Sequence, residues 1–239
     1  MKNLLSVSFA GQAGFIFETE SGVKIGVDLY LSDCCFRYFG FKRLLPYIYD
    51  PSSLKLDYIV ATHAHYDHFD PDSMPLLTSN GNTKLICALD CIPELERLNI
   101  PKTIATFIRP GDTVETPDFT LIAVPCDHGP ETPHAVGILL KIGGKKIYIA
   151  GDTAFRADNF SNPVLSNPDL FIFPINGAFG NMNEREGAEA AKIVNPKLAV
   201  PCHYWNFAEH GGNPQLFSNA MASTKIAYSL MRPGETINI

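Results

Sequence analysis

The residues best able to do chemistry lie in one heptapeptide, Thr62-His63-Ala64-His65-Tyr66-Asp67-His68, which follows the apolar run Leu56–Ala61. Three imidazoles and a carboxylate within six residues are metal ligands by type and by spacing. In an extended segment, residues two apart point the same way, so His63 and His65 can share one ion. Asp67 and His68, past the bend, turn toward a second. A solvated polar loop leading into a helix is the plain alternative, and it has no need of four ligand-type side chains in so short a stretch.

Four residues cannot close two metal sites, so further ligands are expected at the ends of later strands. His128 follows the run Phe119–Val124 and the turn Pro125-Cys126-Asp127. Asp152 follows Lys145–Ala150 in Ala-Gly-Asp-Thr, and His203 follows Leu198–Val200 in Pro-Cys-His-Tyr. Met alone, each would be an ordinary core, loop or turn residue. Together they sit where loops at the carboxyl ends of strands bring distant residues into one place. His134, six residues beyond His128, is the alternative ligand.

A water bridging two such ions is a nucleophile near neutral pH, because coordination lowers its pKa to about 7. Asp67 is placed to orient that nucleophile or accept its proton, and the neighbourhood of His203 to protonate the leaving oxygen. Lactones, esters and phosphodiesters all suit this machinery. Five imidazoles favour zinc, while two carboxylates also suit manganese or iron.

The elements that must position these residues are mostly strands. Strand-like runs are Leu4–Phe9, Gly14–Glu18, Lys24–Asp28, Tyr58–Ala61, Lys84–Cys87, Ile104–Phe107, Phe119–Val124, Val136–Ile142, Lys145–Ala150, Leu170–Pro174 and Leu198–Pro201. Ser21-Gly22 and Gly143-Gly144 mark hairpin turns. Asp70-Pro71 predicts a helix N-cap and N1 before Asp72–Leu77, and Asn183-Glu-Arg-Glu186 predicts a capping box before Gly187–Val194. Hairpins followed by strand–loop–helix units predict an α/β (α+β) fold of two mixed β-sheets packed face to face, with helices outside.

On these motifs the chain resembles the metallo-β-lactamase fold superfamily, in order over nearly its whole length. The resemblance implies a four-layer αββα sandwich with a dinuclear metal site at the edge between the sheets. It implies that His63, His65 and His128 form the first site, that Asp67, His68 and His203 form the second, and that Asp152 bridges them. Asp28 in Gly-Val-Asp resembles the aspartate that buttresses the metal loop. Ser8–Gly14, Gly26-Val-Asp28, Ile59–His65, Arg109-Pro-Gly-Asp112 and Val200–Trp205 are most similar to L-ascorbate-6-phosphate lactonase and related metal-dependent hydrolases. The chain departs from that lactonase in a shorter Cys126–Gly137 stretch and in lacking its longer N-terminal extension. Nothing resembles the large inserted domain of the RNA-processing branch, which argues against a nuclease.

The resulting expectation is a lactonase-like dinuclear metallohydrolase holding two divalent ions and acting on a small anionic lactone or ester. A phosphodiesterase of the same fold, or a non-catalytic metal- or ligand-binding protein that kept the scaffold, are the alternatives. An anionic substrate needs a cationic anchor: Arg156, four residues past Asp152, is the first candidate and Arg37 the second, with His210 in Glu-His-Gly-Gly as a further contact. The segment Cys34–Asp50 carries Phe36, Tyr38, Phe39, Phe41, Tyr47 and Tyr49, which makes it either a pocket wall or the interface of a homo-oligomer.

Composition narrows the remaining possibilities. With 46% hydrophobic and 18% charged residues over 239 positions, the chain buries a sizeable core, expected as a single domain over 1–239. A net charge of −6 supplies no broad positive field for nucleic acid or an anionic membrane. No apolar run reaches the roughly 18–20 residues of a membrane span, and the Met1–Phe9 stretch lacks a small-residue cleavage site. Six cysteines without framework spacing, two of them adjacent at Cys34-Cys35, read as reduced thiols in a cytoplasmic protein.

Overall fold

The computed structural model of the chain describes residues 4–239; Met1–Asn3, and with them the start of the Met1–Phe9 stretch, lie outside the described residues. The first sheet contains β1 (Leu5–Gly11), β2 (Gly14–Thr19), β3 (Lys24–Val27), β4 (Tyr58–Ala61), β5 (Lys84–Ala88) and β6 (Ala105–Ile108). The second contains β7 (Thr113–Glu115), β8 (Phe119–Pro125), β9 (Val136–Ile142), β10 (Lys145–Ile149), β11 (Leu170–Pro174), β12 (Leu198–Cys202) and β13 (Ala227–Tyr228). A last strand, β14 (Thr236–Asn238), returns to pair with β1, so each sheet has seven strands.

Both sheets follow one plan. β1, β2 and β3 are antiparallel and β3 through β6 are parallel. In the second sheet β7 through β10 are antiparallel and β10 through β13 parallel. It follows that β1, β3 and β4 run in one direction, as do β8, β10 and β12. The carboxyl ends of each set therefore reach the same edge of their sheet.

Alternation along the strands sorts side chains between layers. Tyr58 and Val60 of β4 join Val136, Ile138 and Leu140 of β9 in the core between the sheets. Ile59 and Ala61 face outward, onto Met74 and Leu77 of α2 (Ser73–Thr78) and Leu95 of α3 (Ile92–Arg97). Phe171 and Phe173 of β11 pack outward on α4 (Ala157–Phe160), α5 (Glu184–Val194) and α6 (Pro214–Met221). Strands covered on both faces lose the polar alternation of half-buried ones, which is why β4 and β11 read as continuous apolar runs. Each fully buried Leu, Ile or Phe contributes about 1.5–3 kcal/mol relative to exposure. The four layers are those expected: helices, sheet, sheet, helices. Among the described residues no helix is long and apolar enough to cross a membrane.

Most expected elements lie within two residues of their observed bounds, and the exceptions have physical reasons. β7, β13 and β14 have three residues or fewer and were not expected, since so short a run carries no period. Helix α1 (Cys34–Phe39) was masked by its aromatic content. Helix α6 starts at Asn213-Pro214, an N-cap and N1 pair that is plain once looked for. The helix expected from Asp72 begins at Ser73, one residue late. Asp70 nevertheless caps the turn that leads into it: its Oδ1 accepts from the Asp72 and Ser73 N–H groups at 3.0 and 3.3 Å, and its carbonyl from Met74 N–H at 2.9 Å. The capping box is as expected, with Asn183 Oδ1 accepting from Glu186 N–H and Glu186 Oε2 from Asn183 N–H.

Candidate metal centre

The chain bends directly after β4, at Thr62–Ala64, instead of staying extended through His63 and His65, and then turns, with the His68 and Phe69 N–H groups both donating to the His65 carbonyl at 2.9 and 2.7 Å. That turn carries Asp67 to His203, 3.1 Å from Oδ2 to Nε2, while the His68 ring stays 4.1 Å from the His63 ring. Two buried aspartates pin the loop. Asp28, just past β3, accepts from Thr62 N–H at 2.8 Å and Thr62 Oγ1 at 2.7 Å. Asp70 accepts from Leu31 N–H at 2.9 Å and Ser32 Oγ at 2.7 Å.

These bonds also set proton positions. Thr62 has one hydroxyl hydrogen and gives it to Asp28, so it meets His63 Nδ1, 3.0 Å away, as an acceptor. His63 therefore carries its proton on Nδ1 and leaves Nε2 with a lone pair. His63 Nε2 lies 3.1 Å from His65 Nδ1, which lies 3.0 Å from His128 Nε2. Nitrogens that each stand about 2.0–2.1 Å from one tetrahedral ion are about 3.3 Å apart, close to this spacing. His68 donates Nδ1–H to Asp28 Oδ2 at 3.0 Å, and its buried Nε2 has no hydrogen-bond partner. A buried nitrogen without a partner, beside three converging imidazoles, is what a cation would satisfy.

Asp152 stands between the two groups. Its Oδ1 is 3.3 Å from His68 Nε2, and its Oδ2 is 3.2 Å from His203 Nε2 and 3.7 Å from His128 Nε2. Asp67 Oδ2 lies 3.1 Å from His203 Nε2. Electrostatics divide the imidazoles. Burial pushes His63 well below its ordinary value and His128 down to about 4, so both stay neutral. Burial opposes charge on His68 and His203 too, yet Asp152 and Asp67 overcome it, raising His68 well above its usual range and His203 to about 9. Burial likewise works against ionisation of Asp67 and Asp152, and the adjoining His68 and His203 outweigh it and hold both carboxyls low. The carboxylates thus favour positive charge at the spot where a divalent ion would sit.

The structure brings together His63, His65, Asp67, His68, His128, Asp152 and His203, with Asp28 behind them. His128, and not His134, completes the first group; His134 is exposed and its N–H donates to Asp90. His210 joins the cluster as well, close enough to share an ion with Asp67 and His203, and its ring stacks on His203 at 5.2 Å.

A cavity of about 790 Å³ opens on this floor. Arg156 lines it, but its Nε is held by Asp127 Oδ2 at 2.6 Å. Arg37 does not line it and is paired with Asp72. Part of the aromatic segment forms the cavity wall, through Phe39 and Phe41.

Two site residues escaped the sequence. Gln12 is buried in the turn between β1 and β2, and its Nε2 donates to Asp67 Oδ2 at 2.8 Å and lies 3.0 Å from His203 Nε2. Its main-chain carbonyl accepts from the main-chain N–H of His203 at 2.8 Å, tying the two sheets together. The signal was topological: β1 runs with β3 and β4, so its following turn must share their edge. Asn181, in the loop before α5, donates to Asp152 Oδ2 at 2.7 Å, and nothing in its sequence context marked it. Gln12, Asp28 and His203 all hold positive φ, of 54°, 49° and 63°. Such conformations cost on the order of 1–3 kcal/mol each in non-glycine residues, and they cluster here at the site.

Residues 29–204 match the family model described as the beta-lactamase superfamily domain. The chain belongs to that superfamily. It is 30% identical over 209 residues to a UPF0173 metal-dependent hydrolase of Caldivirga maquilingensis, covering 83% of this chain and 91% of the relative, and so belongs among the UPF0173 metal-dependent hydrolases. A second such protein, from Thermoplasma acidophilum, is 29% identical, covering 82% of this chain and 91% of the relative. Among solved structures, a metallo hydrolase from Ignicoccus hospitalis superposes with a TM-score of 0.81 at 22% identity, over 99% of this chain and 98% of that one. A metallo-beta-lactamase fold protein from Bacillus subtilis gives 0.73 at 20% identity, over 99% and 100%. At such identity the structures speak for the fold, and the family rests on the family model and the Caldivirga maquilingensis relative. The chain is a metal-dependent hydrolase with candidate His and Asp metal-binding clusters.

Proposed function

We propose that this hydrolase holds two divalent ions, zinc or manganese, and cleaves a small carboxylic ester or lactone. The observation that carries the reading is Asp152, whose two oxygens face His68 on one side and His128 and His203 on the other. His63, His65 and His128 would hold one ion, and Asp67, His68 and His203 the other, with Asp152 shared.

When bound, two such ions supply Lewis acidity toward the substrate carbonyl and lower the pKa of water to about 7. The chain's own residues hold the arrangement. Asp28 keeps the His68 proton on Nδ1 and Thr62 keeps that of His63 on Nδ1, so both rings offer Nε2. Gln12 and Asn181 each donate to one carboxylate, fixing the rotation of Asp67 and Asp152. Asp67 and His203, with Oδ2 and Nε2 3.1 Å apart, are assigned to catalysis as the pair that would hold the second ion beside the reacting carbonyl. Six unpaired cysteines accord with a reducing, cytoplasmic setting.

The test is to strip the protein with a chelator, titrate zinc or manganese back, and count ions by elemental analysis while screening lactones, carboxylic esters and phosphodiesters. Two ions per chain with turnover of the carbonyl compounds is the expected result. One ion per chain, or turnover confined to phosphodiesters, would overturn the assignment.

A further inference from the structure

The walls of the cavity differ sharply from its floor. From His203 an unbroken series of ring contacts leads outward: His210 at 5.2 Å, then Phe41 and Phe179 at 5.1 and 4.8 Å from His210. Phe39 follows, 5.8 Å from Phe41, and Tyr66 lies 5.6 Å from Phe39. Phe39 and Phe179 are each 56% exposed, although both line the cavity. Single exposed apolar residues are ordinary, but a contiguous exposed aromatic face joined to a reactive floor marks a binding surface.

Charge elsewhere in the lining points the same way. Asp127 and Glu131 line the cavity there, and Arg156 is the one arginine or lysine lining it among the described residues. Asp127 already occupies that guanidinium at 2.6 Å. Lys42 and Arg43, the other cations of the aromatic segment, do not line the cavity, and Arg43 donates to the Tyr30 and Ser32 carbonyls. A phosphate or carboxylate carried on the substrate away from the scissile carbonyl would find no unengaged cation and would face Glu131.

We infer that the cavity selects an uncharged ester or lactone bearing an aromatic or bulky apolar substituent, which lies on Phe39, Phe41 and Phe179 while the carbonyl reaches the floor. The inference rests on the hydrolase reading above for its reaction, and on the wall alone for its specificity. His210, stacked on His203 and in edge or tilted contact with Phe41 and Phe179, joins the two surfaces.

The experiment uses the metal-loaded protein and two matched pairs. Benzyl acetate and 4-(acetoxymethyl)benzoate have comparable leaving groups and differ by one remote carboxylate; N-benzylacetamide and 4-(acetamidomethyl)benzoate are their uncleaved amide analogues, read by binding. Benzyl acetate should be turned over with a KM at least about tenfold below that of its carboxylate, and N-benzylacetamide should bind at least about tenfold more tightly than its own, a difference of about 1.4 kcal/mol. Phe179→Ala and Phe39→Ala, both at exposed positions that spare the core, should each weaken N-benzylacetamide several-fold and leave metal content unchanged. Glu131→Lys should narrow the gap within each pair. Equal or tighter binding of the carboxylates, or aromatic variants that leave N-benzylacetamide binding intact, would overturn the inference. Tight N-benzylacetamide binding without turnover of benzyl acetate would uphold the wall's specificity while rejecting the ester-cleaving reading. Turnover of both esters with equal KM would do the reverse.

Discussion

The floor and the wall of the same cavity are built on opposite plans. Four of the seven ligand candidates on the floor are held by a partner behind or beside them: Asp28 behind His68, Thr62 behind His63, Gln12 beside Asp67, Asn181 beside Asp152. The aromatic rings Phe39, Phe41 and Phe179 of the wall are held by packing, and Phe39 and Phe179 remain more than half exposed. Directional bonds fix an atom to within a few tenths of an ångström, which ion coordination and catalysis require. Ring packing is non-directional and tolerates substituents of different shapes. Reaction type should therefore be sensitive to every change on the floor, and substrate range should drift with the wall.

The largest effect is expected from Asp152→Asn. An amide cannot supply two anionic oxygens to a shared position, and His68 and His203 would lose the carboxylate that most favours positive charge beside them. About one of the two proposed ions should be lost, with turnover falling below detection while the circular dichroism spectrum is kept. Wild-type metal content in this variant would show that Asp152 does not bridge.

Next in size is the response of the metal-free protein to pH. His128 is held at about 4 in the folded chain against an ordinary 6.5, so the unfolded chain binds the extra proton between these values. Its contribution is present above pH 6.5 and is lost as pH falls toward 4, by on the order of 3 kcal/mol. His63, also depressed, acts in the same direction. His203, raised to about 9, does the opposite: its contribution is full below pH 6.5 and is lost as pH rises through 9. Urea unfolding of the chelated protein at pH 5, 6.5 and 9 should give a maximum near 6.5. The wall carries no such group apart from His210, so Phe39→Ala and Phe179→Ala should leave the shape of this profile alone. A profile rising steadily from pH 5 to 9 would mean that His203 is not held as described.

Asp28→Asn should act more gently. Asn tolerates the positive φ at this position, so the backbone is preserved. The neutral amide still accepts from Thr62 or from His68, but no longer as an anion that fixes both. Metal affinity should fall by roughly 10–100-fold, the usual cost of losing a partner behind a ligand. Competition with a chelator of known affinity measures it. An unchanged affinity would imply that the floor, like the wall, is held by packing.

How much of this was legible in the sequence follows the same division. His63, His65, Asp67 and His68 announced themselves because four ligand types fall within six residues, and His128, Asp152 and His203 because each follows an apolar strand. Asp28 was visible through resemblance. Gln12 was not, because a glutamine in a hairpin turn has no chemical signature; only the strand order reveals that β1 ends at the same edge as β3 and β4. The aromatic segment was visible as composition, but its division into wall and outer surface depends on how Cys34–Phe39 coils, and six residues with three aromatic rings gave no helical period to read. Arg156 was correctly brought to the cavity by its distance from Asp152, whereas its pairing with Asp127 comes from another strand end and is a matter of tertiary structure.

The smallest effect is expected at Arg156. As the anchor of an anionic substrate it would be worth about 1.5–3 kcal/mol through a charge-assisted bond, and Arg156→Ala would raise KM for anionic esters by tenfold or more. Its geometry argues for much less. The side chain is 65% exposed and committed to Asp127, and an exposed ion pair contributes about 0–1 kcal/mol to stability. To bind a substrate carboxylate the guanidinium must leave Asp127 or share itself with it, so the net gain is the difference between two similar interactions. Arg156→Ala should therefore change KM for benzyl acetate and for 4-(acetoxymethyl)benzoate by less than about threefold each. Removing the arginine frees Asp127, which adds negative charge to a wall that already holds Glu131. Whatever loss appears should then be larger in 0.01 M salt than at 0.15 M, where charges beyond about 8 Å are screened. A tenfold loss confined to the carboxylate ester would restore Arg156 as an anion anchor and put part of the substrate recognition back among the fixed, directional groups.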